Sequence, residues 1–234
     1  EAHVPRAQMT AESLSVFDRA VADLKSAGAI VEASAPTVTR ANVRDLFADA
    51  AKARGDVALD HNSPAPTANA LFRYFATHGG NARADVERGL AAFRVFYDVL
   101  PKDWAEMAKL IEQPYERDPA SLSFARSRAE VLAQLAETFR AERLDAMIYP
   151  TMPFPAPRAA DKWPDIRTTL GYGNWLGLPE VSVPTGLGSD GMPAGNISFV
   201  GLPGSDARLL ALAHSYERRS MRFVAPPLPS QTPA

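Results

Sequence analysis

The chain has 234 residues, 46% hydrophobic and 22% charged, which is the usage of an ordinary globular protein long enough to bury a substantial core. Its 25 basic residues are scattered among 27 acidic ones for a net charge of −2, and no basic stripe carries interleaved aromatics, so nucleic-acid binding is not expected. There are no cysteines, which excludes disulfides, thiolate metal sites and a cysteine nucleophile, and is neutral about compartment.

No apolar run approaches the roughly eighteen residues that a membrane span needs. The N-terminus, Glu1-Ala2-His3-Val4-Pro5, lacks the basic and apolar regions of a signal peptide. The sequence leaves the compartment open, with the cytoplasm as the favoured expectation.

In chain order, Thr10 is placed to cap a helix whose apolar positions Leu14, Phe17, Val21 and Leu24 share a face. Gly28 stands where a left-handed residue ends such a helix, and Ala29-Ile30-Val31 reads as a short strand. Residues 1–36 therefore open an α/β layer.

Residues 37–141 change to helix after helix. The pattern predicts Asn42–Ala53, then Thr67–Thr77 stopped by Gly79-Gly80, then Asp85–Leu100 ended by Pro101, with Trp104 to Ile111 continuing it. The longest helix is expected over Ser121–Arg140, turning Val131, Leu132, Leu135 and Phe139 to a core. The aromatics of this region read first as packing, and some as the lining of a substrate-pocket cap.

Residues 142–225 return to the α/β style. Strands are expected at Asp145–Tyr149, broken by Pro150, at Val181–Val183 and at Asn196–Val200. A final helix over Asp206–Arg218, capped by Ser205, presents Leu209, Leu210, Leu212, Ala213 and Tyr216. Residues 226–234 form a Pro-rich, extended tail. The strands near 148, 182 and 198 are apolar enough to be buried on both faces, and such strands belong inside a larger covered sheet. The sheet calls for further strands from elsewhere.

Several motifs compete for function. Gly186-Leu187-Gly188-Ser189-Asp190-Gly191 spells G-x-G-x-x-G, but a dinucleotide fingerprint must open a helix, and Met192-Pro193 followed by a strand predicts a hairpin-like connection instead. Asp60-His61-Asn62-Ser63 gathers triad residue types in one loop, whereas a triad is assembled in space; unchanged turnover in His61→Ala would remove that reading. The histidines at 3, 61, 78 and 214 show no metal spacing, H-E-x-x-H and G-x-S-x-G are absent, and no metal or cofactor is expected. In the last helix, His214 reads as structural.

Four ordered blocks resemble the amidase signature family. Asp145-Ala146-Met147-Ile148-Tyr149-Pro150-Thr151-Met152-Pro153 is similar to its "D-x-hydrophobic-P-T-x-P" stretch. Asn174-Trp175-Leu176-Gly177-Leu178-Pro179-Glu180-Val181-Ser182-Val183-Pro184-Thr185-Gly186 is similar to "N-x-x-G-x-P-A-x-S-x-P-x-G". The run Gly191–Gly201 and the helix Asp206–Glu217 follow in family order, and Phe17–Val31 fits an earlier helix-strand unit. Glu180 departs from the usual Ala, and Asn196 from the usual Gln.

The resemblance spans residues 10–33 and 144–217 and implies the C-terminal part of an amidase-signature α/β fold: a mixed sheet covered by helices, with a largely helical middle. It implies a Ser–cis-Ser–Lys amidohydrolase working through an acyl-enzyme. The family's Gly/Ser-rich "G-G-S-S-G-G" block is absent here, and none of the five lysines occupies a motif position. No catalytic residue is therefore assigned to this chain. The expected partner is the N-terminal chain or segment carrying that block, and the expected substrate a small amide.

Substrate contacts are expected from the loops at strand ends, namely Thr151, Tyr172, Asn174 and Trp175, because open α/β sheets keep ligands there. The competing expectation is a stand-alone binding or scaffolding protein on the same fold, its strand edges covered by its own helices.

Overall fold

A computed structural model describes residues 6–32, 73–85, 87–89, 119–155, 157, 160 and 171–225. The chain divides into two compact units, residues 1–43 with 131–234, and residues 44–130. Asp60, His61 and the Pro-rich tail lie outside the described residues, as do the expected helices over 42–53 and 104–111.

In the first unit, a 3-10 turn at Arg6–Gln8 leads into α1, Ala11–Ser26. The Thr10 hydroxyl accepts from the Ser13 amide, satisfying one of the free N–H groups of the first turn. Gly28 then takes φ +94°, and its amide and that of Ala29 return to the carbonyls of Lys25 and Leu24. The buried stripe of α1 is Ser13, Val16, Ala20 and Leu24, rotated from the expected one. Small residues at 13 and 20 let the helix approach closely, while Phe17 packs only partly against the core.

The next described helix to enter this unit, α2, runs Pro119–Ala141, and its part from residue 131 onward buries Val131, Leu135 and Phe139 along one stripe. It ends with the same hydrogen-bond pattern as α1, but Arg143 at φ 53° stands where α1 has glycine.

Among the described residues three strands follow: β1, Met147–Pro150; β2, Glu180–Pro184; and β3, Asn196–Val200. Between β1 and β2 lies a short helix, α3, Gly171–Leu176. The sheet order is β1-β3-β2 and both ladders are antiparallel. Pro150 does not break β1 but closes it, which an edge strand tolerates because no N–H is required there. The hairpin between β2 and β3 narrows through Leu187 opposite Pro193 to a turn at Gly188–Gly191. The G-x-G-x-x-G run is thus a hairpin arm, as expected, and opens no helix.

The last helix, α4, spans Asp206–Ser220 and buries Leu209, Ala213 and Tyr216. Ser205 holds the N-cap position but its hydroxyl makes no capping bond, against expectation. It lies instead against Gly201, where an added Cβ would fall 2.2 Å from Oγ.

Helices α1 and α4 cover one face of the sheet. Their Ala20, Leu24, Leu209, Ala213 and Tyr216 meet Val183, Ile197 and Phe199 in a single core. The expected strand Ala29-Ile30-Val31 has no ladder partner among the described residues: Val31 packs on this core while Ile30 is 89% exposed. As expected, β1 and β3 are buried on both faces, with Met147, Tyr149, Ser198 and Val200 buried on the side away from the helices. That side nonetheless mixes hydroxyls and a carboxylate with its apolar groups, and Ser182 of β2 is exposed there.

In the second unit, residues 73–78 are helical and Gly79 and Gly80 both take positive φ, so the glycine pair stops this helix as its sequence requires. Tyr74 stacks on His78 with ring centroids 4.2 Å apart.

Candidate functional site

Successive side chains of a strand alternate between faces, so the register assigns each residue to a side. Val181, Val183, Ile197, Phe199 and Ile148 point to the helices. The opposite face therefore takes Glu180 and Ser182 from β2, Ser198 and Val200 from β3, and Met147 and Tyr149 from β1, with Ser182, Ser198 and Tyr149 in one row across the sheet.

Thr151 extends this row. Its amide bonds the Asn196 carbonyl at 3.0 Å, continuing the ladder one step past β1. From there its hydroxyl lies 2.7 Å from the Ser198 hydroxyl and 2.9 Å from that of Ser182. The three form a short hydroxyl chain running from fully buried Ser198 to exposed Ser182. Each hydroxyl both donates and accepts, so the exposed end can offer either to an arriving polar group.

At the other end of the face, Tyr149 is 3% exposed and sits beside the Glu180 carboxylate. Burial pushes its hydroxyl well above the ordinary tyrosine range, and Glu180 adds in the same direction. Tyr149 is therefore a neutral donor at physiological pH and cannot act as a base.

The short helix α3 runs beside these groups. Tyr172 is buried, its ring 5.8 Å from that of Tyr149. The backbone at Gly173 approaches Glu180 so closely that an added Cβ would fall 2.6 Å from Oε2. Gly177 ends the helix at φ 65°, allowing the Leu178 amide to return to the Tyr172 carbonyl. This is the physical reason for a glycine three residues after Asn174.

Of the four expected substrate residues, Thr151 reaches into the hydroxyl row, Tyr172 is an interior ring, and Asn174 is exposed on α3. Trp175 lies in α3 with its side chain outside the described residues. Sequence reasoning missed Ser182, Ser198, Tyr149 and Glu180 as neighbours. The available signal was the spacing of two within each strand, which puts Glu180 with Ser182 and Ser198 with Val200 once the strands are paired.

Among the described residues no lysine or histidine is shown at this row. Lys25 is exposed at the end of α1, and the other four lysines lie outside the described residues. His214 is exposed on α4. Among the described residues no group of His, Asp and Glu could hold a metal ion, and no helix is long and apolar enough to cross a membrane.

No family model matches the chain. It is 34% identical over 98 residues to a mandelamide hydrolase of Pseudomonas putida, covering 39% of this chain and 19% of that protein. It is 33% identical over 103 residues to an amidase of Pseudomonas putida, covering 39% of this chain and 22% of that one. Among solved structures, an amidase family protein from Bacillus anthracis superposes on 96% of this chain and 38% of its own, with TM-score 0.59 and 19% identity.

The chain is similar to amidase-signature proteins in sequence and in fold. The sequence match that carries this covers about 40% of the chain, and amidase-signature structures share its fold over most of its length. The matched portion is about a fifth of the length of these curated relatives.

Proposed function

We propose that this chain forms the C-terminal part of an amidase-signature hydrolase that cleaves a carboxamide or related C–N bond through a serine acyl-enzyme. The Ser, Ser and Lys come from an N-terminal segment or partner chain, and this chain by itself is inactive. The observation that carries the reading is the sheet face on which Thr151, Ser182 and Ser198 join hydroxyls beside α3, on a fold shared with amidases.

An amide carbonyl is a poor electrophile, so the attacking serine must lose its proton as it adds. A neutral lysine relayed through a second serine accepts that proton, and backbone N–H groups of a Gly/Ser-rich loop hold the oxyanion. Collapse expels the amine or ammonia, and water releases the acid. In this scheme Thr151, Tyr172, Asn174 and Trp175 bind and orient the amide, Thr151 through a hydroxyl already fixed by two neighbours. The exposed Ile30 and the outer edges of β1 and β2 are where the remaining sheet would add.

Intact-mass analysis of the natively purified protein under denaturing conditions tests the reading. A second chain or an extended chain carrying the Gly/Ser-rich segment, with amide hydrolysis in the same preparation, is the expected result. A folded 25.3 kDa chain alone, without hydrolysis, would instead support a binding protein that keeps this part of the fold.

A further inference from the structure

The seam between α1 and α4, on the helix side of the sheet, holds more polar groups than it satisfies. Arg19 and Asp23 lie one turn apart on α1, and Tyr216 and Ser220 one turn apart on α4. Just past α4, Arg222 bonds both oxygens of Asp23, at 3.0 and 3.3 Å. Arg19 reaches the Thr185 carbonyl with one terminal nitrogen at 3.3 Å, but no acid among the described residues pairs with it. Its Nε is buried without an acceptor, and the buried hydroxyls of Tyr216 and Ser220 face each other without completing a well-formed hydrogen bond. Tyr216 is 1% exposed, and Ser220, Asp23, Arg222 and Arg19 make up its polar surroundings.

Each buried orphan of this kind costs about 1–3 kcal/mol, and native proteins hold few of them. Three in one seam, all able to donate, share one explanation: an acceptor belongs between them. Charge points the same way. With Asp23 committed to Arg222, the Arg19 charge is left without a counter-ion among the described residues. Gly186 packs against both arginines, where an added Cβ would fall 3.5 Å from Arg19 Nη2 and from Arg222 Cδ. Burial keeps the Tyr216 hydroxyl protonated, so it presents a hydrogen and not a competing negative charge.

We propose that this seam is a binding site for a small anion of halide size, held by Arg19 Nε–H and the hydroxyls of Tyr216 and Ser220, which ties α1 to α4. The site is separate from the hydroxyl face and independent of the amidase reading.

The test is thermal unfolding of the purified chain as sodium bromide replaces sodium gluconate at constant ionic strength. Gluconate is much larger than a halide, and bromide is not one of the excluded anions that strengthen burial generally. A saturating rise in Tm of about 3–6 °C is expected at a tenfold excess over the dissociation constant. Arg19→Met should abolish it and Tyr216→Phe should weaken it, with Ser220→Ala as the milder variant should Arg19→Met fail to fold. Crystals grown in bromide should show an anomalous peak within reach of Arg19 Nε. A flat Tm with bromide overturns the proposal, as does a Tyr216→Phe protein more stable than the parent at every bromide concentration. An ordered water in the seam with no anomalous signal overturns it equally.

Discussion

The two faces of the three-stranded sheet are built from the same short strands and solve different problems. Toward α1 and α4, Val183, Ile197 and Phe199 are buried against aliphatic side chains and Tyr216, and the face is held by packing. On the other side, Ser182, Ser198 and Thr151 join hydroxyls while Tyr149 and Glu180 sit together, and the face is held by hydrogen bonds between polar groups. The first face tolerates any close-fitting hydrocarbon. The second depends on specific atoms, because a buried hydroxyl stripped of its partner costs far more than the bond contributed. That difference is why a ligand site is sought on the second.

The contrast can be broken most forcefully from the helix side. Leu209 is fully buried between α4 and the sheet, so Leu209→Ala should cost about 2–5 kcal/mol in denaturant unfolding. A cost near zero would mean that the helices do not form the core described.

On the polar face, Thr151→Val removes the hydroxyl shared by Ser182 and Ser198 and leaves the latter buried alone. A loss of about 1–3 kcal/mol is expected by the same measurement. If Thr151→Val proved neutral, the hydroxyl row would not be part of what holds this face.

Alkaline titration compares the faces through one tyrosine each. Tyr149 and Tyr216 both have hydroxyls raised above the ordinary value of 10.0, chiefly by burial. Above pH 10 the unfolded chain loses these protons while the folded chain keeps them. Their contribution is complete below pH 10 and is lost as pH rises toward the folded values, at about 1.4 kcal/mol per pH unit for each group. Tyr149→Phe should flatten that decline by one group's share, read from unfolding free energies between pH 9 and about 11. An unchanged slope would mean that Tyr149 ionises as freely in the fold as outside it.

The smallest effect is expected at Ser182, which is exposed at the end of the same row. Ser182→Ala should change stability by no more than about 0.5 kcal/mol, since water replaces the lost partner. In the assembled enzyme proposed above it should act on substrate KM instead.

The sequence determined the elements whose causes are local. Thr10 and Gly28 bound α1 through a hydroxyl cap and a left-handed turn, each readable from one residue type at one position. Gly79-Gly80 stops its helix for the same reason, and β3 is found at Asn196–Val200 as expected. The ordered motif blocks carried the resemblance to amidase-signature proteins. Thr151, Tyr172 and Asn174 could be proposed as substrate contacts from their place near strand ends, but not what each touches.

Tertiary structure decided what depends on distant partners. The buried stripe of α1 rotated toward Ser13 and Ala20 because closeness to the sheet rewards small side chains over the largest apolar ones. Ser205 left its cap unmade because Gly201 opened a place against its own backbone. Ala29-Ile30-Val31 formed no ladder among the described residues, since a strand exists only where a neighbour supplies its hydrogen bonds. Which side of β2 carries Glu180 and Ser182, and that Thr151 joins Ser182 to Ser198 across 31 and 47 residues of chain, followed only from antiparallel register, a property that no single segment holds by itself.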